Sequence, residues 1–169
     1  FTRTKRNHYD ITLGFELNPV KGLIINADYT NKFISTSYEA LNVAPDIYAA
    51  DGVTTSKGVR GELDASPDGK YQRSNYNIHY QNISLYGNYS LTLAEDHNIV
   101  LMAGYQEENN KVDYLKNGIS GLYSMHNPNT AMGTGDKQPD DIRNGWATRG
   151  FFGRINYDYL QRYLLEFNL

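Results

Sequence analysis

Tyr9-Asp10-Ile11-Thr12-Leu13-Gly14-Phe15-Glu16-Leu17, then Asn18-Pro19-Val20-Lys21-Gly22, then Leu23-Ile24-Ile25-Asn26-Ala27-Asp28-Tyr29: this stretch decides the fold. In the first run Tyr9, Ile11, Leu13, Phe15 and Leu17 alternate with Asp10, Thr12, Gly14 and Glu16. A period of two puts one greasy side and one polar side on a β-strand. Pro19 and Gly22 break the run and make a short turn. The second run sets Leu23, Ile25, Ala27, Tyr29 and Phe33 against Asn26, Asp28, Thr30 and Lys32. Two such runs with a short connection predict an antiparallel hairpin.

The pattern recurs outward from there. Strands are predicted at about 7–18, 22–34, 75–92, 97–108, 146–159 and 162–169. Long polar loops are predicted at about 35–74 and 109–145. The third strand changes phase: Tyr76, Ile78 and Tyr80 are even, whereas Ile83, Leu85, Tyr89 and Leu91 are odd. A β-bulge near Gln81-Asn82 or a change of surroundings along the strand would explain that switch. In the second loop Val112, Leu115, Ile119 and Leu122 hint at a helix, weakened by Gly118 and Gly121. Connections alternate short, long, short, long, short. Transmembrane barrels have this layout, with short periplasmic turns and long extracellular loops. The strands also reach the roughly 9–11 residues needed to cross hydrocarbon. The predicted class is therefore all-β: antiparallel, up-and-down strands forming part of a transmembrane barrel.

The aromatic residues separate a lipid-facing sheet from a soluble one. The chain has fifteen Tyr, six Phe and one Trp, and these crowd the strand ends. Tyr89, Tyr157, Tyr159 and Tyr163 lie near the short turns; Tyr29, Phe33, Tyr76 and Tyr105 lie toward the long loops. Two bands of amphipathic rings suit two lipid headgroup layers. A soluble β-sandwich would place its largest rings centrally. The opposite parity carries Arg154, Asn156, Asp158 and Glu166, read as facing a lumen, where they pair with one another or with a plug. Six strands cannot enclose an aqueous or plugged lumen, which takes about sixteen to twenty-two. The chain starts at Phe1 and stops at Leu169 inside an alternating run, so an internal piece of a longer barrel is expected.

Composition narrows the function classes. Net charge is −3 with the signs interspersed, and no basic block points to nucleic acid. Cysteine is absent, which excludes disulfides, thiol catalysis and cysteine-ligated metal. Transmembrane helices are excluded because no run of about 18 apolar residues exists. Asp140-Asp141 and Glu107-Glu108 are neighbouring carboxylates in polar sequence, where solvation is the ordinary state. His8, His79, His97 and His126 lack ligand spacing. The Asp136–Asp141 segment offers hard oxygen ligands for calcium, but not with EF-hand spacing. No nucleophile-elbow, P-loop or Rossmann motif is present. The chain reads as a non-enzyme without cofactor or metal.

Trp146-Ala147-Thr148-Arg149-Gly150-Phe151-Phe152-Gly153-Arg154-Ile155-Asn156-Tyr157-Asp158-Tyr159, followed by Arg162-Tyr163-Leu164-Leu165-Glu166, resembles a barrel hairpin frequent in the SusC/RagA-like TonB-dependent outer-membrane transporters of Bacteroidetes. Asp96-His97-Asn98-Ile99 leading into Ala103-Gly104-Tyr105-Gln106-Glu107 resembles a second hairpin of that family. The resemblance covers about 95–108 and 146–169. It implies a 22-stranded barrel in the outer membrane of a Gram-negative bacterium, with a plug domain that this chain does not contain. It also implies a SusD-like surface lipoprotein as lid, the TonB-ExbB-ExbD complex as energy source, and oligosaccharide or peptide as cargo. Tyr29, Phe33, Tyr89, Tyr105, Tyr157, Tyr159 and Tyr163 would then be girdle residues facing outer-membrane lipid.

Sugars are held by aromatic faces plus bidentate polar groups, so a loop Trp or Tyr beside Asp, Asn or Arg is a candidate. Tyr123, His126, Asn127, Arg143 and Trp146, in or beside the second long loop, are the ligand-binding candidates. Packing of that loop, and a girdle position for Trp146, are the plainer readings. Two other functions fit the strands: a passive outer-membrane barrel or adhesin, and a soluble β-barrel carbohydrate-binding module.

Overall fold

The computed structural model describes residues 1–43, 46–53, 55–57 and 69–169. Among the described residues there are eight strands: β1 (Thr2–Val20), β2 (Leu23–Asn42), β3 (Asp46–Tyr48), β4 (Thr55–Lys57), β5 (Lys70–Leu93), β6 (His97–Ser120), β7 (Lys137–Tyr159) and β8 (Tyr163–Asn168). Six form one antiparallel up-and-down sheet in the order β1-β2-β5-β6-β7-β8. Each is thus a sheet neighbour of the next long strand in the chain. Strands β3 and β4 pair separately as a small antiparallel hairpin. The turn signals at Pro45 and Pro67-Asp68 lie outside the described residues.

The short turns are built by local chemistry. Gly22 adopts φ +84°, a conformation that glycine takes without cost, and its carbonyl accepts from the Ser90 N–H at 2.8 Å. Ala94 and Glu95, and likewise Leu160 and Gln161, are all left-handed. Consecutive positive φ angles match the right-handed twist of a hairpin. Asp158 stabilises the last turn by accepting from the Gln161 N–H at 2.7 Å. Strands β7 and β8 then pair in register from Tyr159↔Tyr163 to Arg154↔Asn168.

The long strands run well past their predicted ends. β6 continues to Ser120 and β7 begins at Lys137. The predicted loops therefore contract to 43–69, which holds β3 and β4, and to 121–136. The helical hint over Val112–Leu122 is overturned, because this stretch is strand as far as Ser120. Neighbouring strands supply the backbone hydrogen bonds, and that pairing overrides a weak local pattern. Alternation fails as a signal in these extensions because neither side is apolar over a sustained run there.

Contacts divide the chain into two units. One comprises Tyr9–Phe33, His79–Lys111 and Gly145–Leu169. It is a single layer of strands, in which Leu13 (53% exposed), Phe15 (73%) and Leu165 (68%) stand open among the described residues. The other comprises Phe1–His8, Ile34–Ile78 and Val112–Asn144. It holds a small core of Leu41, Tyr71, Ile119 and Leu122, with Met125 packed against it. The 121–136 loop folds back onto β6: Gly135 N–H donates to the Ser120 carbonyl and Thr134 N–H to that of Gly121, both at 3.0 Å.

The phase switch on β5 involves no bulge. Gln81 donates to the Tyr29 hydroxyl (3.2 Å), and His79 is within hydrogen-bonding distance of Asn31 (3.3 Å). Tyr80 instead packs on Trp146, and Asn82 accepts from Gln106 at 3.3 Å. Alternation therefore holds through Gln81-Asn82, and what changes is the surroundings. Tyr76, expected in the aromatic band, belongs to the even parity and packs against Tyr114, 6.4 Å between ring centroids.

Candidate functional site

The even-numbered side of the first unit is polar and interconnected. Lys32 on β2 reaches Asp10 on β1 at 3.0 Å, and Thr12 and Thr30 share a hydrogen bond at 3.1 Å. Gln106 on β6 donates to Glu108 at 2.9 Å as well as to Asn82. Glu108 in turn neighbours Tyr80. On β7, Trp146 leans on Tyr80 with ring centroids 6.5 Å apart at 59°, and it remains 48% exposed. Two partly open rings, a carboxylate and an amide thus come together from three adjacent strands. Aromatic faces offer contact area at low entropic cost, while amide and carboxylate fix orientation through hydrogen bonds. Such a wall can bind a polar solute with a hydrophobic side. Six residues along β7 from Trp146, Phe152 lies against Gly104, which has no side chain to obstruct it.

The ligand candidates named from sequence each acquire their own setting. Tyr123 and Asn127 are exposed in the 121–136 loop, as is His126, whose N–H donates to the Ser124 hydroxyl at 3.3 Å. Arg143 lies on β7 beside Asp141 (3.5 Å) and lines a shallow cleft with Asn75, Asn77 and Asp113. Trp146 occupies the polar parity, packed on Tyr80. Sequence reasoning missed Tyr80, Gln106 and Glu108. The signal was available in the even-numbered run Tyr76, Ile78, Tyr80, which runs out of phase with the greasy side of its own strand. Of the residues read as facing a lumen, Arg154 donates to Asn168 at 2.8 Å and lies 3.9 Å from Glu166. Asp158 is engaged in its turn. The Asn156 side-chain oxygen is buried without a partner. Among the described residues no cluster of three or more His, Asp or Glu side chains could hold a metal ion.

The odd-numbered side has a different character. Two aromatic groups flank its aliphatic residues. Near the short turns His97 stacks on Tyr157 and packs at a tilt against Tyr159, Tyr159 stacks on Tyr163, and Tyr89 is exposed. Eight residues along the strands, from His97 to Tyr105 and from Tyr159 to Phe151, Tyr9 stacks on Phe33 (5.4 Å) and Tyr105 packs at a tilt against Phe151 (5.2 Å). The Tyr29 hydroxyl accepts from Asn31 at 3.0 Å. Between these groups lie Ile11, Leu13, Phe15, Ile83, Leu85, Leu101 and Ile155, all exposed. A water-exposed protein surface rarely carries a contiguous apolar patch of this extent.

No protein-family model matches the chain, and no curated protein matches it in sequence. Solved structures do match in fold. A chain of the RagAB peptide transporter superposes with a TM-score of 0.82 over 99% of this chain at 15% identity. Chains of the RagAB peptide importer in its closed-closed and open-open states superpose with a TM-score of 0.80 each, at 15% and 16% identity. This chain spans 17% of the length of each. The likeness establishes a shared arrangement of strands, and this open sheet corresponds to a sector of a much larger molecule.

Proposed function

We propose that this chain is a sector of the wall of an outer-membrane importer barrel, and that the whole protein takes up oligosaccharides or peptides. The observation that carries the reading is the single-layer sheet with an uncovered apolar belt. Fully removing a large aliphatic or aromatic side chain from water stabilises by about 1.5–3 kcal/mol. Seven exposed aliphatic and aromatic residues between two aromatic rows would forgo that gain in water, whereas lipid restores it. The apolar stretches of β1, β6 and β7 each span about nine residues, matching the hydrocarbon thickness for tilted strands.

The even side then lines the lumen, and Trp146, Tyr80, Gln106 and Glu108 touch cargo as it passes. The distal ends with the 121–136 loop lie on the extracellular side, where Tyr123, His126, Asn127 and Arg143 would meet cargo or a SusD-like lipoprotein. TonB-ExbB-ExbD would supply energy through a plug domain. The likeness to a peptide transporter favours this reading over an adhesin or a soluble carbohydrate-binding module.

The test uses the full-length protein. It is expected to fractionate with outer membranes, to need detergent for monodispersity and to shift in electrophoretic mobility on heating. A strain lacking it should lose uptake of its oligopeptide or oligosaccharide nutrient. Monodisperse behaviour without detergent would exclude the reading.

A further inference from the structure

Gly150 on β7 leaves a gap in the polar side of the first unit: a Cβ placed there would meet nothing within 4 Å. A recess of about 250 Å³ opens at this point, lined by Thr148 and Phe152 on β7 and by Gln106 and Glu108 on β6. Sites for whole small ligands run to about 300–1,000 Å³, so this recess takes one side-chain-sized group. Phe152 supplies an apolar ring. Glu108 supplies a carboxylate, which accepts from Gln106 at 2.9 Å and neighbours Tyr80. Among the described residues no lysine or arginine comes within 4 Å of that carboxylate.

The wall around the recess carries charge of one sign. On the even side of the first unit's strands stand Asp10, Glu16, Asp28, Glu108, Asp158 and Glu166, against Lys32 and Arg154. Lys32 is taken by Asp10 and Arg154 by Glu166, and Asp158 holds its turn. Among the described residues Glu16, Asp28 and Glu108 are left without a cation. A neutral sugar gains nothing from that excess, an anionic cargo is repelled by it, and a cation is drawn in. We infer that the recess over Gly150 receives a basic side chain of a peptide cargo. The methylene stem of that side chain lies against the Phe152 ring, and its cationic head donates to Glu108. This assignment selects peptide over oligosaccharide, and it rests on the even side lining the lumen, as proposed above.

One charge-assisted hydrogen bond is worth about a tenfold change in affinity. The experiment uses the full-length protein in detergent and three octapeptides of alternating alanine and serine, with lysine, glutamine or glutamate at one central position. Calorimetry measures each Kd. The expected Kd of the lysine peptide is about tenfold below that of the glutamine peptide, and the glutamate peptide should bind more weakly than either. Glu108→Gln should bring the lysine preference below about twofold. Gly150→Val fills the recess and should do the same, which keeps the test decisive if one variant folds poorly by heat-modifiable mobility. Glu16→Gln, on the same wall but outside the recess, should leave the preference near tenfold. Equal Kd values for the lysine and glutamine peptides overturn the inference, as does a preference that survives Glu108→Gln or that Glu16→Gln lowers as much. Binding of maltoheptaose without binding of any peptide also overturns it, assigning the recess to a sugar. A protein that is monodisperse without detergent defeats the importer reading itself; a detergent-dependent protein that binds peptides without preferring lysine defeats only this assignment.

Discussion

Leu13→Arg separates lipid from water at a single position. Leu13 is the middle residue of the greasy run from Tyr9 to Leu17 on β1 and is 53% exposed, so its replacement disturbs little internal packing. If that side faced water, arginine there would change stability by no more than about 0.5 kcal/mol, the ordinary range for an exposed position. If it faces hydrocarbon, Leu13 sits near the bilayer midplane, where arginine costs about 2–4 kcal/mol. At about 1.4 kcal/mol per factor of ten, that shifts the folding equilibrium by roughly 30- to 1,000-fold. Leu17→Arg, at the rim by the short turn, should cost only about 0–1 kcal/mol. Thr12→Arg, one residue away on the polar side, loses only a solvent-exposed bond to Thr30 and should cost no more than about 1 kcal/mol. The assay is reversible urea unfolding of the full-length protein from liposomes, read by heat-modifiable mobility. Leu101→Arg and Ile155→Arg repeat the measurement on β6 and β7. Costs near 0.5 kcal/mol at all three mid-belt positions, or the same cost at Leu13 and Leu17, would refute the assignment of this side to lipid.

Other positions test other parts of the account. Trp146→Ala removes the larger ring of the Trp146–Tyr80 pair and, if the even side lines the lumen as proposed, should raise the uptake KM about tenfold while leaving heat-modifiable folding intact; unchanged uptake would remove Trp146 from the cargo path. Gly104→Val forces a side chain into the Phe152 ring and to within 2.8 Å of the Tyr86 Cβ, at a cost of about 1–3 kcal/mol that Phe152→Ala should relieve. Gly22→Val meets both a positive φ and the Ser90 carbonyl, and should lower folding yield more than Lys21→Val. Burial, the hydrogen bond to Glu39 and the charge of Glu39 push the Tyr71 hydroxyl up to about 12. Its folded-state pKa exceeds the unfolded value, so its contribution is intact below about pH 10 and is lost as pH rises toward 12. Tyr71→Phe should cost about 1 kcal/mol at neutral pH and abolish that alkaline component of unfolding.

The belt was legible in sequence because one side of each strand is uniformly apolar there. Tyr9–Leu17 and Ile99–Tyr105 announce themselves by alternation alone. The distal halves were not legible for the same physical reason. Lys137-Gln138-Pro139-Asp140-Asp141 is polar on both sides, and hydrophobic periodicity has no purchase on a strand wetted on both. Its strand state comes from pairing with β6, a tertiary fact that local composition does not encode. The greasy positions Ile119 and Leu122 were read on a helical period because they serve a small core at the tip of β6.

The candidate site followed the same logic. Loop residues with binding chemistry drew notice because isolated polar and aromatic side chains stand out in a loop. Tyr80, Gln106 and Glu108 stayed hidden inside strands whose other parity supplied the visible pattern. Yet strands hold side chains more firmly than loops do, and a binding site on them keeps its geometry. Trp146 stands at the edge of the loop that the sequence predicts, but the residue that fixes its ring is Tyr80, reached only across the sheet. On a wall of this kind the functional information lies in the parity that the fold-determining pattern leaves over. The polar half of the alternation is where determinants of cargo selection should be sought first.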